Sequence, residues 1–168
     1  MVSSLLINPM KKICLLLLYM FICNVAFSQN YTPRYKSSWK EVDNYIRGQW
    51  DNQLTKSNEM PNIYIGAWPY LPFMFYWDTY FTNLGLYIHN FETVAKWNTE
   101  NLLSVVDKFG YMGNAAVTSW GMNRSQPPYL SSMVRDVFEQ FGSKDTAFLR
   151  KAYPILRKEY LFWTDTSK

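Results

Sequence analysis

Cysteine, histidine and glycine are scarce in this 168-residue chain, which holds two Cys, one His and seven Gly. Both cysteines, Cys14 and Cys23, fall in an apolar segment near the amino terminus. Beyond that segment there is no disulfide framework and no thiolate chemistry. A single histidine, His89, leaves no room for a classical zinc site or a Ser-His-Asp triad. Gly and Pro together number 15, too few for a collagenous or low-complexity chain. Charge is also sparse, at 18% of residues. What the chain has is aromatic: 7 Trp, 13 Tyr and 11 Phe, enough apolar surface to exclude intrinsic disorder. Carboxylates are the reactive groups left. No metal or other cofactor is expected.

The net charge of +4 overstates the basic character. Lys11 and Lys12 precede the run ICLLLLYMFICNVAF, with Ala26 near its end and Ser28 just behind it. A short positive region, an apolar stretch and small residues make a secretory signal peptide over residues 1–28, with Met10 as a plausible start. An uncleaved anchor and lipid attachment at Cys23 are the alternatives. The apolar run is short of the ~20 residues a spanning helix needs. Residues 20–22 (Met20-Phe21-Ile22) lack the small side chains of a lipidation site. Cleavage after Ser28 leaves 140 residues, with 15 basic side chains against 13 acidic ones, a net of +2. No basic cluster remains to track phosphates, so nucleic-acid binding is not expected. The expected destination is the periplasm or the exterior, without a stable membrane anchor.

Residues 29–38 are polar and turn-rich and read as a flexible lead-in. Helical spacing follows at Val42, Tyr45, Ile46, Trp50 and Leu54, and Ser38 with Glu41 has the form of a capping box. Pro61, Gly66, Pro69 and Pro72 mark an extended loop. Further helices are expected over 78–90, 91–109, 128–141 and 144–163. Gly142 is placed to end the fourth, and Pro154 to kink the fifth. Val94, Trp97, Leu102, Val105 and Val106 should face a core, as should Met133, Phe138 and Phe162. No β-alternation of useful length is present, so the class is all-α. The 110–128 loop exceeds the ~12–15 residues usual in compact domains, and such loops are mostly functional.

Two constellations carry chemistry. In Tyr76-Trp77-Asp78-Thr79-Tyr80-Phe81, an indole beside a carboxylate suits a sugar: the ring covers C–H patches and the acid accepts from hydroxyls. Asp78 serves equally as a helix N-cap among core aromatics. In Asn123-Arg124-Ser125-Gln126-Pro127-Pro128, the Arg fork and the Gln amide can hold vicinal hydroxyls or a carboxylate. A loop-stabilising ion pair from Arg124, to Asp78 for instance, explains the arginine as well. Asn114 fits a turn or a ligand, and His89 fits a helix end. Glu159 and Asp165 read as solvated positions.

Tyr-Trp-Asp-Thr-Tyr-Phe, followed 46 residues after Asp78 by Arg-Ser-Gln-Pro-Pro, resembles the trehalase family of glycoside hydrolases. Gly110-Tyr111-Met112-Gly113-Asn114 is similar to the family's Gly-(aromatic)-(apolar)-Pro-Asn loop, with Gly113 in place of proline. The likeness covers roughly residues 68–165. It implies an α/α toroid of about a dozen helices, a six-hairpin barrel, that hydrolyses the disaccharide α,α-trehalose with inversion. By motif, Trp77, Asp78, Asn114, Arg124 and Gln126 become the sugar-binding residues. Where the family carries an arginine ahead of the Trp-Asp pair, this sequence has Tyr70, which leaves another α-glucoside or a glycan open as substrate. The family's catalytic carboxyls lie in later segments. Residues 39–168 are therefore expected to be the amino-terminal part of such a domain, about five helices, with no catalytic residue of its own. Helices meant for missing neighbours would expose apolar surface. Alone, the chain should be poorly active or inactive, or a non-catalytic sugar-binding remnant.

Overall fold

The computed structural model describes residues 38–66, 73–116 and 119–165. The expected leader, nearly all of the lead-in, and Tyr70 lie outside the described residues. The chain divides into two compact units at Gly48–Gln49. In the first, α1 spans residues 38–47. Ser38 is already helical, so the helix starts at or before the first described residue and Ser38 is not its cap. The helix is also shorter than its apolar spacing predicts: the chain turns at 48–50 and forms a 3-10 turn at Asp51–Gln53. Trp39, Val42 and Tyr45 of α1 are exposed.

The second unit holds four longer helices: α2 (Tyr76–Ile88), α3 (Glu92–Phe109), α4 (Leu130–Gln140) and α5 (Thr146–Thr164). Two antiparallel pairs of two-residue strands accompany them. β1 (Leu54–Thr55) pairs with β2 (Tyr64–Ile65), and β3 (Met74–Phe75) pairs with β4 (Ala115–Ala116). The molecule is mostly helical, as its lack of β-alternation implies.

Asn90 at φ 63° makes the tight turn between α2 and α3, a left-handed conformation that Asn tolerates better than most residues. Gly110 at φ 83° ends α3, its N–H bonded to the Val106 carbonyl. Gly142 at φ 76° follows the α4 C-cap, where its freedom at positive φ is needed. Asp145 caps α5, accepting from the Phe148 N–H at 2.9 Å. The helix runs on through Pro154, whose ring faces solvent.

Helix α3 is the central strut, packed against α2, α4, α5 and β2. Leu102, Leu103, Val105 and Val106 join Tyr76, Met112, Leu130, Met133, Val137, Phe148, Ala152 and Ile155 in the main core. A second cluster gathers Trp50, Ile65, Leu86, Val94 and Ala95, with Trp97 half-buried at its edge. Met133 is buried as expected, whereas Phe162 is 37% exposed and stacks on Tyr111 at 4.6 Å. Phe162 continues the line of Ile155 and Glu159 near the end of α5, where Tyr160, Leu161 and Trp163 around it are also exposed. No helix among the described residues is long and apolar enough to cross a membrane.

A polar seam runs through this interior. Asn98 Oδ1 accepts from the Ile65 N–H at 3.1 Å, and its Nδ2 donates to Asn83 Oδ1 at 2.9 Å. Asn83 Nδ2 donates in turn to the Ala95 carbonyl and to Thr99 Oγ1, both at 3.2 Å. Asn101 takes the Asn62 N–H at 2.9 Å and returns a bond to the Asn62 carbonyl at 3.1 Å. Strand β2 and the chain before it are thereby fastened to α3 by side chains that satisfy otherwise unpaired backbone groups.

Candidate functional site

The first site element is the start of α2. Its helical turn begins at Tyr76, two residues before the expected start, so Asp78 is not the N-cap. The cap position is Phe75, held extended by the β3–β4 pairing. Asp78 lies instead in the first turn, where the helix dipole favours a carboxylate. Trp77 beside it is 42% exposed, and its ring meets Phe81 edge-on at 6.4 Å.

The 110–128 loop supplies the rest, and a small set of bonds shapes it. The Asn114 N–H is shared by the carbonyls of Gly121 and Arg124, each at 2.7 Å. Ser125 Oγ donates to the Met112 carbonyl at 2.6 Å. Tyr111 Oη donates to the Met122 carbonyl at 2.5 Å. Gly113 sits so close to the opposing limb that a Cβ would meet the Gly121 carbonyl at 2.6 Å and Met122 Sδ at 2.9 Å. Glycine here permits the close approach.

Loop and helix are then joined. The Trp77 N–H donates to Gln126 Oε1 at 2.8 Å, and Gln126 Nε2 donates to Asp78 Oδ2 at 3.3 Å. The Tyr76 N–H donates to the Asn114 carbonyl at 3.1 Å. Side chains thus bring Trp77, Asp78 and Gln126 together, and backbone bonds tie Asn114 and Arg124 to them.

Gln126 spends both ends of its amide on this junction. Arg124 forms no ion pair with Asp78: its exposed guanidinium reaches Asn123 Oδ1 at 3.4 Å. The Asn114 side-chain amide has no hydrogen-bond partner among the described residues. The arrangement therefore presents an exposed indole, a carboxylate, a guanidinium fork and an amide. Those groups can cover a C–H face and exchange hydrogen bonds with hydroxyls.

His89 is a packed residue at the C-cap of α2, its Nδ1 accepting from Trp50 Nε1 at 2.6 Å. Glu159 overturns the expectation of solvation. It is 5% exposed, and its Oε1 accepts from the Tyr76 hydroxyl at 2.5 Å. Burial pushes its pKa up, while the Tyr76 bond opposes that shift. Burial and the adjoining Glu159 carboxyl hold the Tyr76 phenol well above its ordinary value. The signal was there in the spacing: Phe148, Ala152, Ile155 and Glu159 form one buried stripe of α5. Glu159 also borders a cavity of about 480 Å³ lined by Pro128, Ser131, Tyr153, Tyr160 and Trp163. None of the five expected sugar-binding residues lines that cavity.

The sequence model of the family described as Trehalase matches residues 71–168. The chain is 44% identical over 90 residues to a trehalase of Arabidopsis thaliana, an alignment covering 54% of this chain and 14% of the relative. Identity to a probable trehalase of Oryza sativa is 43% over 90 residues, 54% of this chain and 16% of the relative. A periplasmic trehalase of Xanthomonas oryzae is 35% identical over 94 residues, covering 56% and 16% respectively. The matched segment thus spans about a sixth of these relatives' length.

Proposed function

Because the chain belongs to the trehalase family, we propose that Trp77, Asp78, Asn114, Arg124 and Gln126 form the sugar-holding wall of a trehalase-like, inverting glycoside hydrolase. The observation that carries this is the junction at Gln126, whose amide bonds both the Trp77 N–H and the Asp78 carboxylate. It fixes an exposed ring and an acid side by side, the pairing a pyranose needs. The substrate of the whole assembly is α,α-trehalose, with the exported form of the protein acting outside the cytoplasm. The periplasmic relative in Xanthomonas supports that location. Tyr70, in place of the family's arginine, favours another α-glucoside as a second reading.

Inverting hydrolysis takes a protonated carboxyl for the leaving oxygen and a carboxylate for water, some 6.5–9.5 Å apart. Asp78 is engaged by Gln126 and Glu159 by Tyr76, so this chain's part is to bind and orient the sugar. The toroid is the frame in which residues 39–168 contribute the first helices of the glycosidase domain. Alone, the 168-residue chain turns trehalose over poorly or not at all.

Titrating glucose and trehalose into the purified chain tests both parts. Saturable binding that Trp77→Ala or Arg124→Ala abolishes, with little glucose released from trehalose, is the expected outcome. A failure to bind either sugar overturns the sugar site. Turnover matching that of full-length trehalases overturns the assignment of a binding role alone.

A further inference from the structure

We propose that Glu159 is a positioning residue of the sugar site, fixing the Trp77–Asp78 turn and the Asn114 loop through the hydroxyl of Tyr76. The functional sense of this inference rests on the sugar-binding reading above; its geometric basis does not.

Tyr76 is the point where four elements meet. Its hydroxyl donates to Glu159 Oε1 of α5 at 2.5 Å and accepts from the N–H of Leu130, the first residue of α4, at 3.0 Å. Its backbone N–H holds the Asn114 carbonyl. Its own peptide leads directly into Trp77, whose N–H is held by Gln126. Both the ring and the carboxyl are removed from solvent, at 0% and 5% exposure. A tyrosine so held cannot swing or shift its ring without leaving the Leu130 N–H and the Glu159 carboxyl unpartnered, and the residue is anchored at both its backbone and its hydroxyl just before Trp77.

Packing does not explain the carboxyl. The stripe that docks α5 is otherwise Phe148, Ala152 and Ile155, and a leucine at 159 would extend it with no desolvated charge. What a carboxyl adds is an acceptor for the Tyr76 proton, which leaves the phenol oxygen's lone pairs to the Leu130 N–H. Fixed geometry behind a binding group is what preserves affinity when the group itself stays on the surface.

The test compares amide hydrogen exchange and sugar titration, both followed by NMR, for the native chain and the variants Glu159→Gln, Glu159→Leu and Tyr76→Phe. In Glu159→Leu and Tyr76→Phe, the Trp77 and Asn114 amides should exchange at least about tenfold faster, while Leu102 and Val106 in α3 keep their native rates. Glu159→Gln, whose amide oxygen still accepts from Tyr76, should stay within about threefold of native. Sugar affinity should fall in the same order. Equal acceleration in α3 overturns the proposal, because Glu159 then serves general stability. Unchanged exchange at Trp77 and Asn114 overturns it as well. Sugar-induced shifts at Tyr160 and Trp163 instead of Trp77 also overturn it, since Glu159 would then act by direct contact from the neighbouring cavity. If the native chain binds no sugar, the sugar reading fails, and the exchange pattern still decides whether Glu159 positions Trp77.

Discussion

Two groups of polar side chains in this molecule are used in opposite ways. Between α2 and α3, Asn83 of α2 and Asn98, Thr99 and Asn101 of α3 are buried, and their side-chain polar groups bond one another or the backbone of Ile65, Ala95 and Asn62. At the mouth of α2, Trp77 and Arg124 are exposed, and the Asn114 side chain has no hydrogen-bond partner among the described residues. The first group has committed its side-chain hydrogen bonds to holding the fold. The second keeps capacity in reserve, and its positions are set mainly by backbone bonds. Polar content alone does not mark a site; unspent polar content on a fixed backbone does.

This contrast sets an order of effects. Asn98→Leu should be the most damaging change, since it strands the Ile65 N–H and Asn83 Oδ1 in the interior. A loss of about 3 kcal/mol in unfolding free energy is expected, measurable by urea denaturation. A loss below about 0.5 kcal/mol would erase the distinction between the groups. Gly113→Ala comes next. Its Cβ would meet the Gly121 carbonyl and Met122 Cα, which cannot yield as the Met122 side chain can, so the loop must open, at about 1–3 kcal/mol. Because the same loop carries Asn114 and Arg124, sugar affinity should fall with stability, whereas Asn98→Leu should leave affinity intact in the fraction that remains folded.

On the other side of the comparison, Arg124→Ala should shift unfolding by no more than about 0.5 kcal/mol while removing sugar binding. A parallel loss of stability would place Arg124 with the structural group. The smallest effect concerns the Asp145 cap of α5. The Phe148 N–H, and then Lys96, hold its carboxyl below the usual range. A lowered folded pKa means the cap contributes fully above the unfolded value and fades as pH drops through the folded one. Thermal melts of native protein and Asp145→Ala should therefore differ at pH 7 and converge in strong acid. A gap that persists there would mean the cap is held by something other than its charge.

Much of this was legible in sequence, for local reasons. The spacing of Val94, Leu102, Val105 and Val106 describes one face of a helix, and the structure buries all four. Gly142 marked a helix end because only a positive φ closes the turn there. The five proposed site residues followed from three short motifs, and a mixture of side-chain and backbone hydrogen bonds links the segments that carry them.

What escaped was non-local. The start of α2 is set by β3 pairing with β4, forty residues away in register, and nothing near Asp78 reports it. Trp50 belongs to the core around His89 and not to α1, because its indole finds Nδ1 of a residue 39 positions on. Glu159 was misread because Arg157 and Lys158 beside it have the look of a solvated face, although the four-residue and three-residue steps from Phe148 place it on the buried one.

The bond between Tyr76 and Glu159 spans 83 residues of chain. At a synthesis rate of about 5–20 residues per second, the tyrosine waits roughly 4–17 s for its partner to be made. During that interval the α2–α3 hairpin can already form from contacts close in sequence, while the Tyr76 hydroxyl has nothing to donate to. The proposed sugar wall is thus a late product of biogenesis, and the aromatic surface at Trp77 spends those seconds without the Tyr76–Glu159 bond.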